Sequence, residues 1–394
     1  MKIAICGAGV AGPTLAFWLQ RFGHVPTLIE AAPSLRTGGY MIDFWGVGYD
    51  VAERMGLRAA VHTASYDLQE VRYVDGRGRT AGSISAEVMR REIGDRFCSL
   101  PRGALAEQIF NAIEPAVETV FGVSVAAIRQ EADGVTVSLT DGSVRAFDLL
   151  VGADGMHSQV RALVFGPQGR FERHIGYHVA AFETSGYRPR DELAYVSYGY
   201  PGRQISRFAQ RDDRTMFLFV FASEHMKGDE PRTLGDRIAC LRDVFSGAAW
   251  EWPSIRDALG SVDDLYFDRV SQVEMPAWSH GRVVLLGDAA ACVSLVAGEG
   301  SGIAMTEAYV LAGELAGAAP NHAAAFGQYE ARLRRFIDGK QASARSFASA
   351  FTPRTALGVW ARNLATRMMA IPGVPGLLVG AQMKDAFELP SYPA

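Results

Sequence analysis

The stretch KIAICGAGVAGPTLAFWLQRFGHVPTLIE, residues 2–30, decides the fold of this chain. Its first part, 2–6, is a short apolar run that predicts a β-strand. Residues 13–22 place apolar side chains at helical spacing, and the apolar run 26–30 predicts a second strand. A strand, a glycine-rich turn, a helix and a second strand in this order are typical of the first unit of an α/β nucleotide-binding domain.

The glycines of the turn occupy the positions that a bound dinucleotide requires. Gly7 permits the tight turn after the strand, Gly9 lets a pyrophosphate approach the backbone, and Gly12 lets the helix pack against the strand. The start of the helix then offers free N–H groups and a positive dipole end to the phosphates. Glu30 ends the second strand, where a carboxylate can accept hydrogen bonds from ribose hydroxyls. This unit predicts a bound dinucleotide and does not by itself distinguish FAD from NAD.

A second segment, far along the chain, favours FAD. The strand-like run RVVLLGDAA ends in Gly287-Asp288, and GEGSG at 298–302 leads into a helix that starts near Ile303. An Asp at this point can bind the ribityl hydroxyls of a flavin, and the helix start can face the edge of the flavin ring that gains negative charge on reduction. The alternative is an Asp that only caps a turn.

Two further segments have a structural and a functional interpretation each. In LLVGADGMHSQVR, Asp154 ends a predicted parallel strand and Ser158 can cap the short helix that follows. In LPRGALAEQI, Arg102 opens a predicted helix, where its charge opposes the helix dipole. A helix cap and a surface arginine are the structural interpretations, and cofactor contacts are the functional ones.

The remaining pattern predicts a β-sheet region inserted into the nucleotide-binding fold. Residues 134–147 alternate around Asp141-Gly142, which predicts a hairpin with a type I′ turn. Between 177 and 224, alternating segments predict an antiparallel sheet. Long helices are expected at 302–317 and 322–350.

Composition excludes several classes of protein. A length of 394 residues favours two domains, and a net charge of -4 gives no support to a nucleic-acid partner. The four cysteines show no metal-ligand spacing, so no metal is expected. The N-terminal apolar run is broken by glycines and is no signal peptide, which favours a cytoplasmic protein. We also expect a monomer or a weak dimer. The apolar stretch 364–383 contains an arginine and two prolines and predicts a covering helix rather than a membrane span.

Taken together, these segments resemble the group A flavoprotein monooxygenases, which have the para-hydroxybenzoate hydroxylase fold. The chain is most similar to the branch that contains the tetracycline-inactivating monooxygenases and related antibiotic hydroxylases. The similarity covers nearly the whole chain and is carried by GVAGPTLAFWLQRFG, GGYMIDFWG, YFDRVSQVEMPAW, GRVVLLGDAA, AYVLAGEL and the terminal LPSY.

The resemblance implies a cofactor-binding set and a division into domains. It implies FAD contacts for Gly7, Gly9, Ala11, Gly12, Glu30, Arg36, Arg102, Asp154, Asp288, Gly298, Gly300, Ser301 and Gly302. The fold implied is α/β: a discontinuous, glutathione-reductase-type Rossmann-like FAD-binding domain, an inserted antiparallel β-sheet substrate domain and a C-terminal helical segment. The expected limits are 1–70, 97–175 and 270–350 for the FAD-binding domain, 71–96 and 176–269 for the substrate domain, and 351–394 for the helical cover.

The resemblance also implies the reaction. NAD(P)H, bound transiently, reduces FAD, and O₂ forms a C4a-hydroperoxide that hydroxylates an aromatic or polyketide-like small molecule. A flavin dehydrogenase or reductase without oxygen transfer, and a non-catalytic drug-binding protein that retains FAD, remain as alternatives. The chain differs from the family pattern at three positions: Ala291 replaces a frequent aromatic or His, Leu295 a Pro, and Glu299 a Gln.

Two groups of residues are candidates for the substrate pocket. Asp43, Phe44 and Trp45 follow the Gly-Gly pair that the family places near the flavin. In the predicted strand TMFLFVFA, Phe217, Phe219 and Phe221 share one face. For this aromatic strand face, core packing is the favoured interpretation and pocket lining the alternative.

Overall fold

A computed structural model describes most of the chain. The described residues are 1–36, 38–93, 96–113, 115–294, 298–369, 385 and 387–393. Their strands are β1 (Lys2–Cys6), β2 (Val25–Glu30), β3 (Met41–Phe44), β4 (Glu70–Val74), β5 (Thr80–Ser85), β6 (Cys98–Pro101), β7 (Glu118–Phe121), β8 (Val125–Gln130), β9 (Val135–Leu139), β10 (Val144–Phe147), β11 (Leu149–Gly152), β12 (Glu172–Ser185), β13 (Ala194–Tyr200), β14 (Arg203–Ala209), β15 (Arg214–Ala222), β16 (Tyr266–Val273), β17 (Ser279–His280) and β18 (Val283–Leu285).

The α-helices of the same residues follow the periodic segments of the sequence. They are α1 (Ala11–Arg21), α2 (Gly46–Arg54), α3 (Arg58–Ala64), α4 (Ala86–Ile93), α5 (Arg102–Asn111), α6 (Gln159–Val164), α7 (Leu234–Val244), α8 (Trp252–Leu259), α9 (Asp288–Ala291), α10 (Gly300–Ala318), α11 (His322–Phe351) and α12 (Ala356–Met368).

The first layer is a six-stranded sheet in the order β17-β18-β11-β1-β2-β7. Its strands are parallel except for the edge strand β17. The apolar run of β11 is fully buried, as a strand in the middle of a parallel sheet must be, because helices cover both faces. The carboxyl ends of β1, β11 and β18 therefore meet at one edge of the sheet, where ligands bind in open α/β folds.

The hairpin between β9 and β10 has a different turn from the predicted one. Leu139 N–H donates to Ser143 O (2.8 Å), which closes a three-residue loop. Gly142 has a φ of 87°, but Asp141 is not in the left-handed region that a type I′ turn requires of both central residues. The predicted type I′ turn is therefore wrong, because the loop has three residues and only its last one needs a positive φ.

The second layer is a seven-stranded sheet in the order β16-β12-β15-β14-β13-β4-β5. Its strands pair antiparallel except for the β13–β4 pair. Helices α7 and α8 pack on one face, and α12 with the end of α11 packs on part of the other. The expected α/β fold with an antiparallel sheet and C-terminal helices is confirmed.

The domain limits stay a prediction. Strands β12 and β16 lie in the seven-stranded sheet, yet each extends past an expected limit, at residues 176 and 270. In the expected C-terminal cover, α12 is helical, 370–384 lie outside the described residues, and 387–393 have no regular secondary structure. No helix among the described residues has the length and apolar character needed to span a bilayer.

Candidate functional site

The glycine-rich turn joins β1 to α1 at the carboxyl edge of the parallel sheet. Gly7 has a φ of 107°, and a Cβ there would clash with the carbonyl of Ala153 at the end of β11. A Cβ on Gly12 would clash with the carbonyl of Gly7. Beside Gly9, in contrast, the nearest atom to an added Cβ is Nη2 of Arg102, 3.8 Å away. The turn is thus closed towards the sheet and open on the side where a pyrophosphate would approach.

Glu30 ends β2 next to this turn. Its Oε2 accepts a hydrogen bond from Ala8 N–H (2.7 Å), and its Oε1 accepts one from Ala32 N–H (2.8 Å). Each carboxylate oxygen keeps a further lone pair, so the side chain can still bind ribose hydroxyls. Nη2 of Arg36 lies 4.0 Å from Oε1 of Glu30, and the Arg36 side chain is 78% exposed. Arg36 therefore lies at the outer edge of the site.

The second predicted segment folds back onto the first. Gly287, with a φ of 63°, follows β18 and begins the turn before Asp288. An open cleft of about 620 Å³ brings Asp288 together with residues from the glycine turn and the start of α10. Its lining is Gly9, Val10, Ala11, Tyr40, Ile42, Arg102, Ala153, Gly155, Asp288, Cys292, Ser294, Gly298, Gly300, Ser301 and Ala304.

Arg102 and Asp154 relate to this cleft in different ways. Arg102 begins α5, its backbone N–H donates to Tyr40 O (3.0 Å), and its side chain lines the cleft. Asp154 is turned towards α6, where its carboxylate accepts from Ser158 Oγ (2.5 Å) and Val160 N–H (3.0 Å). Burial raises the pKa of Asp154, although these hydrogen bonds oppose the rise. Its neighbours Ala153 and Gly155 line the cleft, so Asp154 holds the backbone of the cleft in place without lining it.

A second, partly open cavity adjoins the segment 298–302, and its empty space of about 300 Å³ includes open solvent. It contains the candidates Asp43, Phe44 and Trp45, and Gly302 lines it as well. Its full lining is Asp43, Phe44, Trp45, Val47, Gly48, Glu299, Gly302, Ile303, Phe336, Lys340 and Asp385. Ser99 Oγ donates to Oδ1 of Asp43 (2.5 Å), and burial raises the pKa of Asp43.

The aromatic strand face predicted as a possible pocket is part of the core. Phe217, Phe219 and Phe221 are fully buried in a cluster with side chains of α7 and α8, and they line none of the described cavities. The opposite face of β15 is the one turned to the cofactor side: Met216 Sδ lies 3.3 Å from Met41 N, next to the cleft residue Tyr40. The favoured core-packing interpretation therefore agrees with the structure, and the alternative placement of the three phenylalanines as substrate candidates is corrected, because α7 and α8 cover that face.

Several residues of the site were not predicted from the sequence. Glu307 is fully buried behind Gly287, and Lys340 pairs with Glu299 in the second cavity. An acidic residue inside a long apolar helix was a signal for Glu307. Of the three departures from the family pattern, Ala291 is buried, Glu299 is paired, and Leu295 lies outside the described residues.

These features fit FAD on the geometry alone. The glycine cradle opens towards the cleft, Glu30 stands beside it, and Asp288 lies across the cleft near the start of α10. These groups suit successive parts of one elongated cofactor: the glycine-rich turn suits its pyrophosphate, Asp288 its ribityl chain and the start of α10 its ring.

Comparison with known proteins agrees with this fit. The family model described as an FAD binding domain matches residues 1–338. A flavin-dependent monooxygenase of Legionella longbeachae serogroup 1 (strain NSW150) is 33% identical over 351 aligned residues, which cover 86% of this chain and 87% of that protein. The crystal structure of tetracycline destructase Tet(51) superposes with a TM-score of 0.84 at 29% identity, over 99% of both chains.

A second solved structure supports the cofactor. Klebsiella pneumoniae HpxO, complexed with FAD and uric acid, superposes with a TM-score of 0.78 at 25% identity, over 97% of this chain and 95% of that chain. The chain therefore binds FAD and belongs to the group A flavin-dependent monooxygenases, with the resemblance to the tetracycline-inactivating branch confirmed.

Proposed function

We propose that this enzyme hydroxylates an aromatic or polyketide-like small molecule, with NAD(P)H as reductant and O₂ as oxygen donor. The observation that carries the proposal is the shared segment 298–302, the start of α10 and the two residues before it, which separates the cofactor cleft from a cavity lined by Phe44 and Trp45. A substrate held against Trp45 would lie next to the segment 298–302, on the side opposite the cofactor cleft. The balanced reaction consumes substrate, NAD(P)H, H⁺ and O₂ and releases the hydroxylated product, NAD(P)⁺ and water.

Bound FAD supplies the redox chemistry of this reaction, and the chain supplies binding and water exclusion. Gly9, Glu30 and Asp288 would hold the cofactor along the cleft. Trp45, which is only partly buried, would hold an aromatic substrate by stacking and apolar contact, while the buried Phe44 supports the same wall. Asp43 lines the same cavity, and since Ser99 Oγ donates to its Oδ1, the other carboxyl oxygen would bind a substrate hydroxyl.

The proposed site for NAD(P)H is a groove rather than a second nucleotide domain. The sequence contains no second strand–GxGxxG–helix unit. The nicotinamide dinucleotide would bind transiently near the exposed Arg102 side chain at the mouth of the cleft and near the turn that follows Asp154.

The test is a screen for substrate-stimulated NAD(P)H oxidation. Tetracyclines, other polyketides, quinones and phenols are added singly to the FAD-loaded enzyme under ¹⁸O₂. The expected result is faster NAD(P)H consumption with one labelled oxygen atom in the product. Trp45→Ala should raise the KM for that compound while FAD occupancy stays unchanged. Leu357→Ala, on an exposed part of α12 (72% exposed), is the matched control and should leave the KM unchanged.

The two alternatives give different outcomes. An oxidised product without labelled oxygen would identify a flavin dehydrogenase or reductase. Tight binding of a compound that stimulates no NAD(P)H consumption and yields no product would identify a non-catalytic binding protein. Either result overturns the proposed hydroxylation and leaves FAD binding intact.

A further inference from the structure

One buried lysine joins three separate segments beside the cofactor cleft. The Nζ atom of Lys340, on α11, lies 2.8 Å from Oε2 of Glu299 and 2.8 Å from Oδ1 of Asp385. The exposed fractions of the three side chains are only 14%, 22% and 10%. Burial alone would lower the pKa of Lys340, but the two carboxylates raise it, so the ammonium group stays charged. The triad is a buried, charge-assisted contact rather than a surface ion pair.

Glu299 places one end of this triad beside the cofactor cleft. It is the residue before α10, and its neighbours Gly298, Gly300 and Ser301 line the cofactor cleft. The Glu299 side chain points away from that cleft into the second cavity, where Lys340 meets it. A shift of the Glu299 side chain would therefore displace neighbouring residues that line the cofactor cleft.

Asp385 places the other end in the C-terminal tail. Its Oδ2 accepts a hydrogen bond from Val47 N–H (2.8 Å) at the start of α2. A Cβ at position 46 would clash with this oxygen, and Gly46 has a φ of 68°. The glycine thus leaves room for the Asp385 carboxylate against the helix start, where a negative charge is favourable.

The tail beyond Asp385 is anchored along the same helices. The carbonyl oxygen of Pro390 accepts from Arg54 Nη1 (2.8 Å) on α2 and from Tyr309 Oη (2.9 Å) on α10. Tyr392 Oη donates to Oε1 of Glu314 (2.6 Å), further along α10. The tail and the segment 298–302 are therefore two parts of one packed unit, and Lys340 joins them at the cofactor end.

We propose that Lys340 is a positioning residue for FAD: by bridging Glu299 and Asp385 it fixes the segment 298–302 at the start of α10 and couples cofactor binding to the docking of the C-terminal tail. The inference rests on FAD binding and not on the proposed hydroxylation. Because coupling between two sites is reciprocal, FAD should protect the docked tail to the same extent that the docked tail favours FAD.

Four variants of the full chain test the coupling. Lys340→Met removes the charge and keeps most of the side-chain length, whereas Lys340→Arg keeps the charge. Glu299→Gln combined with Lys340→Met removes both members of one pair. Lys227→Met is the matched control, because Lys227 forms an ion pair with Asp243 (3.2 Å) but is 81% exposed and outside the site.

The dissociation constant of FAD, from quenching of flavin fluorescence, is the first measurement. Lys340→Met should raise it about tenfold, which corresponds to about 1.4 kcal/mol. Lys340→Arg should restore most of the affinity, and the double variant should bind FAD better than Lys340→Met, because it leaves no unpaired Glu299 carboxylate. The control should bind FAD as the unmodified protein does.

Amide hydrogen exchange is the second measurement and includes FAD-free protein. Lys340→Met should speed exchange at Val47 N–H and in residues 387–393, and FAD should slow exchange there in the unmodified protein. Unchanged FAD affinity together with unchanged exchange in Lys340→Met would overturn the proposal. Loss of affinity that Lys340→Arg fails to restore would also overturn it, since the role would then be side-chain packing. Failure of the unmodified protein to bind FAD would instead overturn the FAD assignment.

Discussion

The backbone N–H of Gly287 donates a hydrogen bond to Oε2 of Glu307, with an N···O distance of 2.5 Å. Tyr329 Oη donates to the same oxygen (3.1 Å). The other carboxyl oxygen, Oε1, is buried and has no hydrogen-bond partner among the described residues. Because Gly287 directly precedes Asp288, Glu307 holds the turn that presents Asp288 to the cofactor cleft.

Glu307 should make the stability of the protein depend on pH. Burial raises the pKa of Glu307 from 4.5 to about 8, since the hydrogen bonds from Gly287 and Tyr329 only partly oppose it. A carboxyl whose pKa is higher in the folded state stabilises the fold fully below about pH 4.5, and that stabilisation is lost as the pH rises to about 8. The pKa difference corresponds to a loss on the order of 5 kcal/mol across this window.

Glu307→Gln should remove this pH dependence, because an amide oxygen accepts the same two hydrogen bonds and does not ionise. The free energy of unfolding, from urea titrations with FAD in excess, should fall between pH 5 and pH 8 more steeply for the unmodified protein than for the variant. Glu307→Leu, which loses both hydrogen bonds and does not titrate either, should be less stable than Glu307→Gln at every pH. Parallel pH profiles for the unmodified protein and Glu307→Gln would show that Glu307 does not titrate in this range.

Asp288→Ala should lose most of its bound FAD. The unmodified protein should be yellow as purified, because Asp288 lines the cleft opposite the glycine-rich turn. The ratio of flavin to protein absorbance measures the occupancy. Asp257→Ala, which changes an aspartate whose side chain is 75% exposed, is the control and should keep its flavin. Full flavin occupancy in Asp288→Ala would show that Asp288 does not bind the cofactor.

The first βαβ unit was predictable because its requirements are local. Gly7 and Gly12 each meet a steric requirement set by residues close in the fold, Gly9 leaves the approach side open, and Glu30 follows at the end of the adjacent strand. The cleft itself was also foreseen in outline, since parallel strands that end in Gly-rich or acidic turns meet at one edge of the sheet. The predicted cofactor residues that do not line the cleft are Gly7, Gly12, Glu30, Arg36, Asp154 and Gly302.

What the sequence could not indicate was the identity of distant partners. Alternation along β15 divides its side chains into two faces, but only the placement of α7 and α8 decides which face is core. Likewise, nothing in GEGSG predicts that Glu299 meets Lys340 from α11 and, through it, Asp385 from the tail. Such contacts depend on how helices pack, and a periodic pattern shows only that a helix has a buried side.

Phe219→Ala and Leu218→Ala should separate the two faces of β15. Phe219 is fully buried against α7 and α8, so its truncation should lower the free energy of unfolding by about 3–5 kcal/mol and leave the KM for substrate unchanged. Leu218 is only partly buried and packs on the opposite face against the end of α11, so its truncation should cost less stability. A changed KM in Phe219→Ala at unchanged stability would show that the Phe219 side chain lines the substrate pocket.

Purified protein should carry FAD but no nicotinamide dinucleotide. The sequence has one GxGxxG unit, and the described cleft at that unit is the one assigned to FAD. Release of small molecules by heat, followed by chromatography, should give about one FAD per chain and no stoichiometric NADP. Tightly held NADP in equal amount would contradict the proposed transient groove near Arg102.

Glu299→Gln should raise the midpoint potential of the flavin only slightly. An unpaired carboxylate at about 6 Å, with an effective dielectric constant near 20, would oppose formation of an anionic reduced flavin by about 3 kcal/mol. The Glu299 carboxylate is instead paired with Lys340 and points away from the cofactor cleft, so most of its field is compensated. Burial raises the pKa of Glu299, and the ion pair with Lys340 opposes that rise. Spectroelectrochemical titration of both proteins measures the shift, with Glu299→Asp as the control that keeps the charge. A large rise would mean that Lys340 does not screen Glu299 in solution, and a lowered potential would mean that the variant moves the segment 298–302 rather than removing a charge.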